Sequence, residues 1–185
     1  MVYFSKGKRG KIFLKDNVAK KVGNSKHINN EIKWLKILNK FNIGPKLISS
    51  GKNYFEYHFI KGEFILDYIG KNDKNKVKKV IIKVLKQCRI LDKLKVNKLE
   101  MHHPVKHIIV NSDVFMIDFE RCYSTDKPKN ISQFCQFLMS GNLKNLFKDK
   151  KIKINQKEFI DLVKNYKQKY NEKSFNEIIK FIKKA

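Results

Sequence analysis

The apolar run Val114-Phe115-Met116-Ile117 leads directly into Asp118-Phe119-Glu120-Arg121. A run of that kind reads as a buried strand, which would deliver the aspartate at a fixed point at its C-terminal end. A hard cation such as Mg²⁺ takes carboxylate oxygen and bridges to phosphate, so Asp118 is a candidate metal ligand. The plainer alternative is an aspartate that forms a turn at a strand end. Phosphate chemistry also needs a fixed positive charge, and Val18-Ala19-Lys20-Lys21-Val22 offers one. A strand lysine that faces a cleft needs a carboxylate partner, because an unpaired buried ammonium is costly. Glu31, on the helix that follows, is placed to supply it. Successive strand residues face opposite ways, so only one of Lys20 and Lys21 can turn inward. The other possibility is that Lys21 and Glu31 are both surface charges in a lysine-rich chain.

Two glycines, Gly7 and Gly10, stand in Ser5-Lys6-Gly7-Lys8-Arg9-Gly10-Lys11 between candidate strands. Without a Cβ, backbone amides can approach a phosphate closely; an ordinary basic hairpin turn would use the same residues. Three of the five histidines lie in Glu100-Met101-His102-His103-Pro104-Val105-Lys106-His107. Pro104 interrupts that stretch, so no helical face presents two imidazoles, and zinc is disfavoured there.

The elements that would position these groups are legible from periodicity. Phe4, Ile12 to Leu14 and Val18 to Val22 read as strands separated by turn residues. From His27 to Asn39 the period becomes helical, with Ile28, Ile32, Leu35 and Leu38 on one face, Trp34 at its edge and Gly44-Pro45 beyond its end. Strands return at 46–50 and 54–60, and Lys61-Gly62 marks a boundary between two lobes. A strong helix runs over 75–94. A strand at 108–110, a turn at Asn111-Ser112-Asp113 and the strand into Asp118 follow. Helices are expected over 131–139, 156–170 and 175–184. Asn155 with Glu158, and Ser174 with Glu177, resemble capping boxes at the last two starts. A strand-rich first third and a helical remainder give an α+β layout with two lobes, 1–62 and 63–185.

Composition bounds the function classes. At 185 residues with 42% hydrophobic content, the chain can bury a core, and no apolar stretch is long enough for a bilayer span. No secretory pattern opens the sequence, so a soluble cytoplasmic protein is expected. Three cysteines without C-x-x-C spacing give neither a disulfide framework nor a zinc knuckle, and Cys88 and Cys135 read as core residues. The formal charge is +25, yet only three of the 42 basic residues are arginine, the side chain suited to bidentate phosphate contacts. Compositional bias and attraction to RNA or another polyanion both account for such a lysine content.

Taken in order, Lys6-Gly7-Lys8-Arg9-Gly10, Val18-Ala19-Lys20-Lys21, Glu31, Ile43-Gly44-Pro45, Phe59-Ile60-Lys61-Gly62-Glu63, Lys106-His107-Ile108-Ile109-Val110 and Ile117-Asp118-Phe119-Glu120 resemble the protein-kinase-like superfamily. The similarity covers most of residues 1–140. It is closest to small archaeal predicted serine/threonine kinases, similar in style to RIO-type kinases and to the small kinase of the tRNA-threonylcarbamoyl-adenosine machinery.

The resemblance implies a minimal two-lobe kinase fold with an N-terminal antiparallel sheet plus one helix and a mainly helical C-terminal lobe. It implies an ATP site with Lys21 on the phosphates, Glu31 as its partner, Gly7 and Gly10 over the phosphates, and Tyr57 to Ile60, Phe59 included, against adenine. Asp118 would hold Mg²⁺. In H-R-D-x-x-x-x-N, His107 would take the asparagine position as a second metal ligand. His102 would then fall at the base position, with Glu100 as the nearby carboxylate. Glu120 stands where the pattern has glycine, and Arg121 is expected to pair with Glu120 or Glu100. The stretch after Asp118 is short for a peptide-substrate platform, so the implied acceptor is the protein itself, a partner or a small molecule. Two further expectations are a nucleotide-binding pseudokinase or ATPase-like regulator in an RNA-modifying assembly, and a basic RNA-binding module.

Overall fold

The computed structural model describes residues 1–7 and 9–185. It is an α+β protein that divides into two compact units, Met1–Gly62 with Phe115–Tyr123, and Glu63–Val114 with Ser124–Ala185. The second lobe expected from the sequence ran unbroken from 63 to 185. Instead, the segment that follows Val114 and carries Asp118 clusters with the first unit.

In the first unit, β1 (Val2–Lys6), β2 (Gly10–Lys15), β3 (Val18–Gly23), β4 (Leu47–Ser50) and β5 (Tyr54–His58) form a five-stranded sheet in the order β1-β2-β3-β5-β4. Every pairing is antiparallel. The strand expected over 54–60 ends at His58, because its partner β3 begins at Val18, directly opposite. Phe59 continues as extended backbone, its N–H donating to Asn17 O at 2.8 Å and its ring packed edge-on against Phe4.

Helix α1 (Ser25–Leu38) starts where the Asn24 side chain accepts a hydrogen bond from Lys26 N. Ile28, Ile32, Leu35 and Leu38 are buried on one stripe. Trp34, read from the sequence as an edge residue, is also buried. The chain reverses after α1 through Asn42 and Gly44, both at positive φ. Gly44 has φ +82°, and a Cβ there would lie 2.8 Å from the Phe119 ring and 3.0 Å from Leu35. Only glycine meets both demands.

The second unit holds β6 (Glu63–Phe64), α2 (Ile65–Lys71), α3 (Lys74–Lys93), β7 (Val96–Asn97) and β8 (Ile108–Val110). The short strands β9 (Val114–Met116) and β10 (Tyr123–Ser124) follow in the chain. Four helices complete the unit: α4 (Asn130–Leu138), α5 (Gly141–Asp149), α6 (Gln156–Lys169) and α7 (Glu172–Lys184). Helix α3 buries Val77, Val80, Ile81, Val84, Leu85, Cys88 and Leu91. Its last turn contributes a buried polar knot. Tyr166 OH donates to Asp92 Oδ2 at 2.9 Å, Arg89 donates to that hydroxyl at 3.0 Å, and Asn130 Nδ2 donates to Asp92 Oδ1 at 2.7 Å. Asn130 Oδ1 then accepts from Lys98 N, which fixes the chain just after β7.

Helix α7 begins earlier than Phe175. Asn171 is its cap, accepting from Ser174 N, while Ser174 Oγ turns back to Asn171. Asn155 caps α6 by accepting from Glu158 N. All three cysteines are buried and none is in a disulfide, and burial pushes the Cys88 and Cys135 thiols up, away from reactivity. No helix among the described residues is long and apolar enough to cross a membrane.

Candidate functional site

The site lies within the first unit and begins with strand register. Lys21 pairs across β3 with Ile12 on one side and Phe55 on the other. Ala19, Lys21, Phe55 and Tyr57 therefore share a sheet face. Lys20 takes the opposite face, where it meets Glu56 at 3.3 Å and lies over the Tyr54 ring. The Lys21 side chain, 13% exposed, ends among three carboxylates: Glu31 at 2.7 Å, Asp118 at 3.0 Å and Glu120 at 3.3 Å. Surface placement of Lys21 and Glu31 is thereby excluded.

Helix α1 and the 118–122 turn are tied together by three side chains. Glu31 uses one oxygen for Lys21 and the other for the backbone N–H of Phe119, at 3.1 Å. Asn30 donates to the carbonyls of Glu120 and Cys122, and Trp34 Nε1 donates to Cys122 O at 2.9 Å. Phe119 is fully buried under Gly44. Between these anchors Asp118 sits at φ +64°, a left-handed conformation that aspartate tolerates better than most residues. Backbone held in that region at a cluster of charged groups is the kind of constraint found at functional sites.

Electrostatics follow from this crowding. Burial alone would lower the Lys21 pKa, but Glu31, Asp118 and Glu120 outweigh it and hold the ammonium firmly protonated. Burial raises the Glu31 carboxyl above the ordinary range. The Asp118 charge adds to that, while Lys21 and the Phe119 N–H pull the other way. The Tyr57 hydroxyl is pushed up to about 12, first by burial and then by the Glu31 charge. One carboxylate oxygen each from Glu31, Asp118 and Glu120 lies within 4.8 Å of the others, a spacing that could hold a metal ion. Such a donor set is hard oxygen throughout and suits Mg²⁺ or Ca²⁺ better than zinc.

No protein-family model matches the chain, and no curated protein sequence matches it.

The glycine turn lies at the end of the β2–β3 ladder. Gly10 pairs with Gly23, and a Cβ on Gly10 would come within 2.8 Å of Val22 O and 3.7 Å of Lys21 Cε. Strand packing therefore requires that glycine. Gly7 closes the turn through its N–H to Gly10 O at 2.9 Å. Lys8, between them, is outside the described residues. Tyr57 packs on Phe55 with ring centroids 5.3 Å apart.

The remaining sequence candidates belong to the second unit. Glu100 and His102 share a short 3-10 turn over Leu99–His102. Glu100 meets Lys98 at 3.2 Å, a lysine with 0% of its side chain exposed. His102 is exposed, with Nδ1 3.0 Å from Leu99 O. The His107 N–H closes the turn onto Pro104 O. His102, His103 and His107 form no metal-spaced cluster among the described residues.

Two partners of the site were not expected from the sequence. Arg9 meets Glu120 at 3.0 Å, and Glu120 reaches Lys21 as well. Glu120 was anticipated only as a substituted glycine that pairs with Arg121. The turn closed by the Cys122 N–H on Phe119 O carries Glu120 to Lys21.

Proposed function

We propose that this chain is an ATP-dependent phosphotransferase of minimal two-lobe, protein-kinase-like form that works with Mg²⁺. The observation that carries the reading is the convergence on Lys21 of Glu31 at 2.7 Å and Asp118 at 3.0 Å. These three residues come from a strand, the helix that follows it and a strand-end turn distant in sequence from both, and each has the charge that phosphate and cation chemistry needs. The carboxylate spacing fits a hard cation. When bound, such an ion supplies charge neutralisation at phosphate oxygens.

In this reading Lys21, held by Glu31, would meet the nucleotide phosphates, and Asp118 would hold the ion. Tyr57 and Phe59 are candidates for the adenine contact, and Gly7 and Gly10 for the cover of the phosphates. Transfer breaks the bond between the γ-phosphorus and the β,γ-bridging oxygen as the acceptor oxygen bonds to phosphorus, and ADP departs. Glu100 is the candidate to orient the acceptor hydroxyl and take its proton, with His102 beside it on the same turn.

Calorimetric titration of ATP, with and without Mg²⁺, tests the reading. Binding that Mg²⁺ tightens supports it, and no binding under either condition overturns it. A second reading, nucleotide binding without transfer, is favoured by Glu120, which sits on the lysine that phosphate would engage. It predicts ATP binding with no labelled phosphoryl acceptor, and Glu120→Gly that tightens binding without creating turnover.

A further inference from the structure

Two depressions in the first unit, of about 700 and 590 Å³, share Arg9 and His27 as walls. Lys26, Lys33 and Arg121 also line the first, and Lys6 and Lys11 the second. The one carboxylate among the described lining residues is Glu120, which Arg9 and Lys21 already hold. The joined surface is therefore strongly cationic.

Its composition differs from that of the chain as a whole. Only three of the 42 basic residues are arginine. Arg89 is built into the second unit through Tyr166 and Glu172. The other two, Arg9 and Arg121, both line this groove. Arginine presents a planar fork that matches phosphate, whereas lysine is a solvated point charge. Bias toward lysine explains the rest of the surface but not this placement.

Helix α1 adds a second sign. Its first turn contains Lys26 and His27 and no acid, although cations at a helix N-terminus oppose the macrodipole. The helix thus gives up stability at the point where an anion would restore it.

We propose that this groove binds the phosphodiester backbone of a nucleic-acid duplex. Six lysines and arginines over two joined depressions exceed what a single phosphate engages and suit consecutive ones. No Phe, Tyr or Trp lines either depression among the described residues, so bases have no ring to stack on and remain in their own helix. Contacts of this kind hold backbone without reading sequence. The groove shares Gly7, Gly10 and Glu120 with the proposed nucleotide site but includes neither Lys21 nor Asp118.

The test is fluorescence anisotropy with a labelled 16-base-pair RNA duplex at several KCl concentrations. Lys26→Glu/Lys33→Glu should weaken binding at least about tenfold and flatten the slope of log K against log[KCl] by about two, near one for each phosphate no longer neutralised. Lys79→Glu/Lys86→Glu makes the same charge change on exposed α3 positions and should alter affinity by less than about threefold. Lys26→Glu also places an acid in the first turn of α1, so Tm should hold or rise while binding falls. Should the reversed pair unfold, Lys26→Gln/Lys33→Gln gives the reading, with a smaller loss expected. Asp118→Asn should bind the duplex like wild type. Equal losses from the two charge-reversed pairs, unchanged binding by the glutamine pair, no duplex binding by wild type, or tighter binding of a doubly phosphorylated peptide than of the duplex would each overturn the proposal.

Discussion

Glu31 accepts a hydrogen bond from the backbone N–H of Phe119 at 3.1 Å while its second oxygen holds the Lys21 ammonium at 2.7 Å. One buried carboxylate therefore fixes both the strand cation and the turn that carries Asp118. Removing Glu31 takes the buried acceptor from the Phe119 N–H and the nearest of three carboxylates from Lys21, which keeps Asp118 and Glu120, at about 1–3 kcal/mol. Glu31→Ala should cost about that much in urea unfolding, and Glu31→Gln, which keeps an acceptor for Phe119, about half. Wild-type stability in Glu31→Ala would refute the coupling.

Lys21→Met leaves three carboxylates within 4.8 Å of one another. Burial and the Asp118 charge already raise the Glu31 carboxyl against the pull of Lys21, so without that lysine the penalty is full above the raised value and is relieved as pH falls through it. The variant should melt lower than wild type at pH 7, recover toward pH 4, and gain more Tm than wild type from millimolar Mg²⁺ or Ca²⁺. A Tm insensitive to both acid and divalent ions would count against a shared ion site.

The alkaline limb has the opposite sign. Lys21 is raised above its ordinary 10.5, so its stabilising contribution is full below that pH and is lost as pH rises through the folded-state value. Urea midpoints measured from pH 8 to 11.5 should fall more steeply above 10.5 in wild type than in Lys21→Met. Parallel curves would show that Lys21 gains nothing from its neighbours.

Asp118 separates backbone from charge. Asparagine tolerates φ +64° as aspartate does, so Asp118→Asn should keep stability within about 1 kcal/mol while losing Mg²⁺-dependent nucleotide binding. Asp118→Ala adds the left-handed cost of about 1–2 kcal/mol. Full activity in the asparagine variant would remove Asp118 from the metal role.

Gly44→Ala acts at a distance from the charges. Its methyl would meet the Phe119 ring at 2.8 Å with φ +82° unchanged, for a combined cost of about 2–4 kcal/mol. The displaced ring carries the Asp118 turn with it, so ligand affinity should fall along with Tm. A stable variant with weakened binding would show that the turn shifts before the core fails.

Much of the fold could be read from periodicity. The stripe Ile28, Ile32, Leu35 and Leu38 gave α1, and Val77 to Leu91 gave α3, since each repeats over several turns. Helix α2 escaped because seven residues bury only Ile65 and Ile69, too little to register as a period. Helix α5 escaped behind Gly141 at its first position, with only Leu143 and Phe147 buried. Strand alternation let only one of Lys20 and Lys21 turn inward, and the choice of Lys21 came from the resemblance. Its pairing with Glu120, and that residue's pairing with Arg9, depended on how the turn after Asp118 curls, which side-chain spacing does not encode. The grouping of 115–123 with the first unit is likewise a long-range property, set by hydrogen bonds that Asn30 and Trp34 donate to that turn and that Glu31 accepts from it.

Trp34 is the single tryptophan of the chain, and its indole N–H is hydrogen-bonded to Cys122 O at the end of the turn that begins at Asp118. Indole emission shifts with hydrogen bonding and local field, so the molecule carries its own optical reporter, bonded to a carbonyl four residues beyond Asp118. Any occupant of the carboxylate cluster should be visible in the ultraviolet without a label, and stopped-flow mixing would give the rate at which that turn responds.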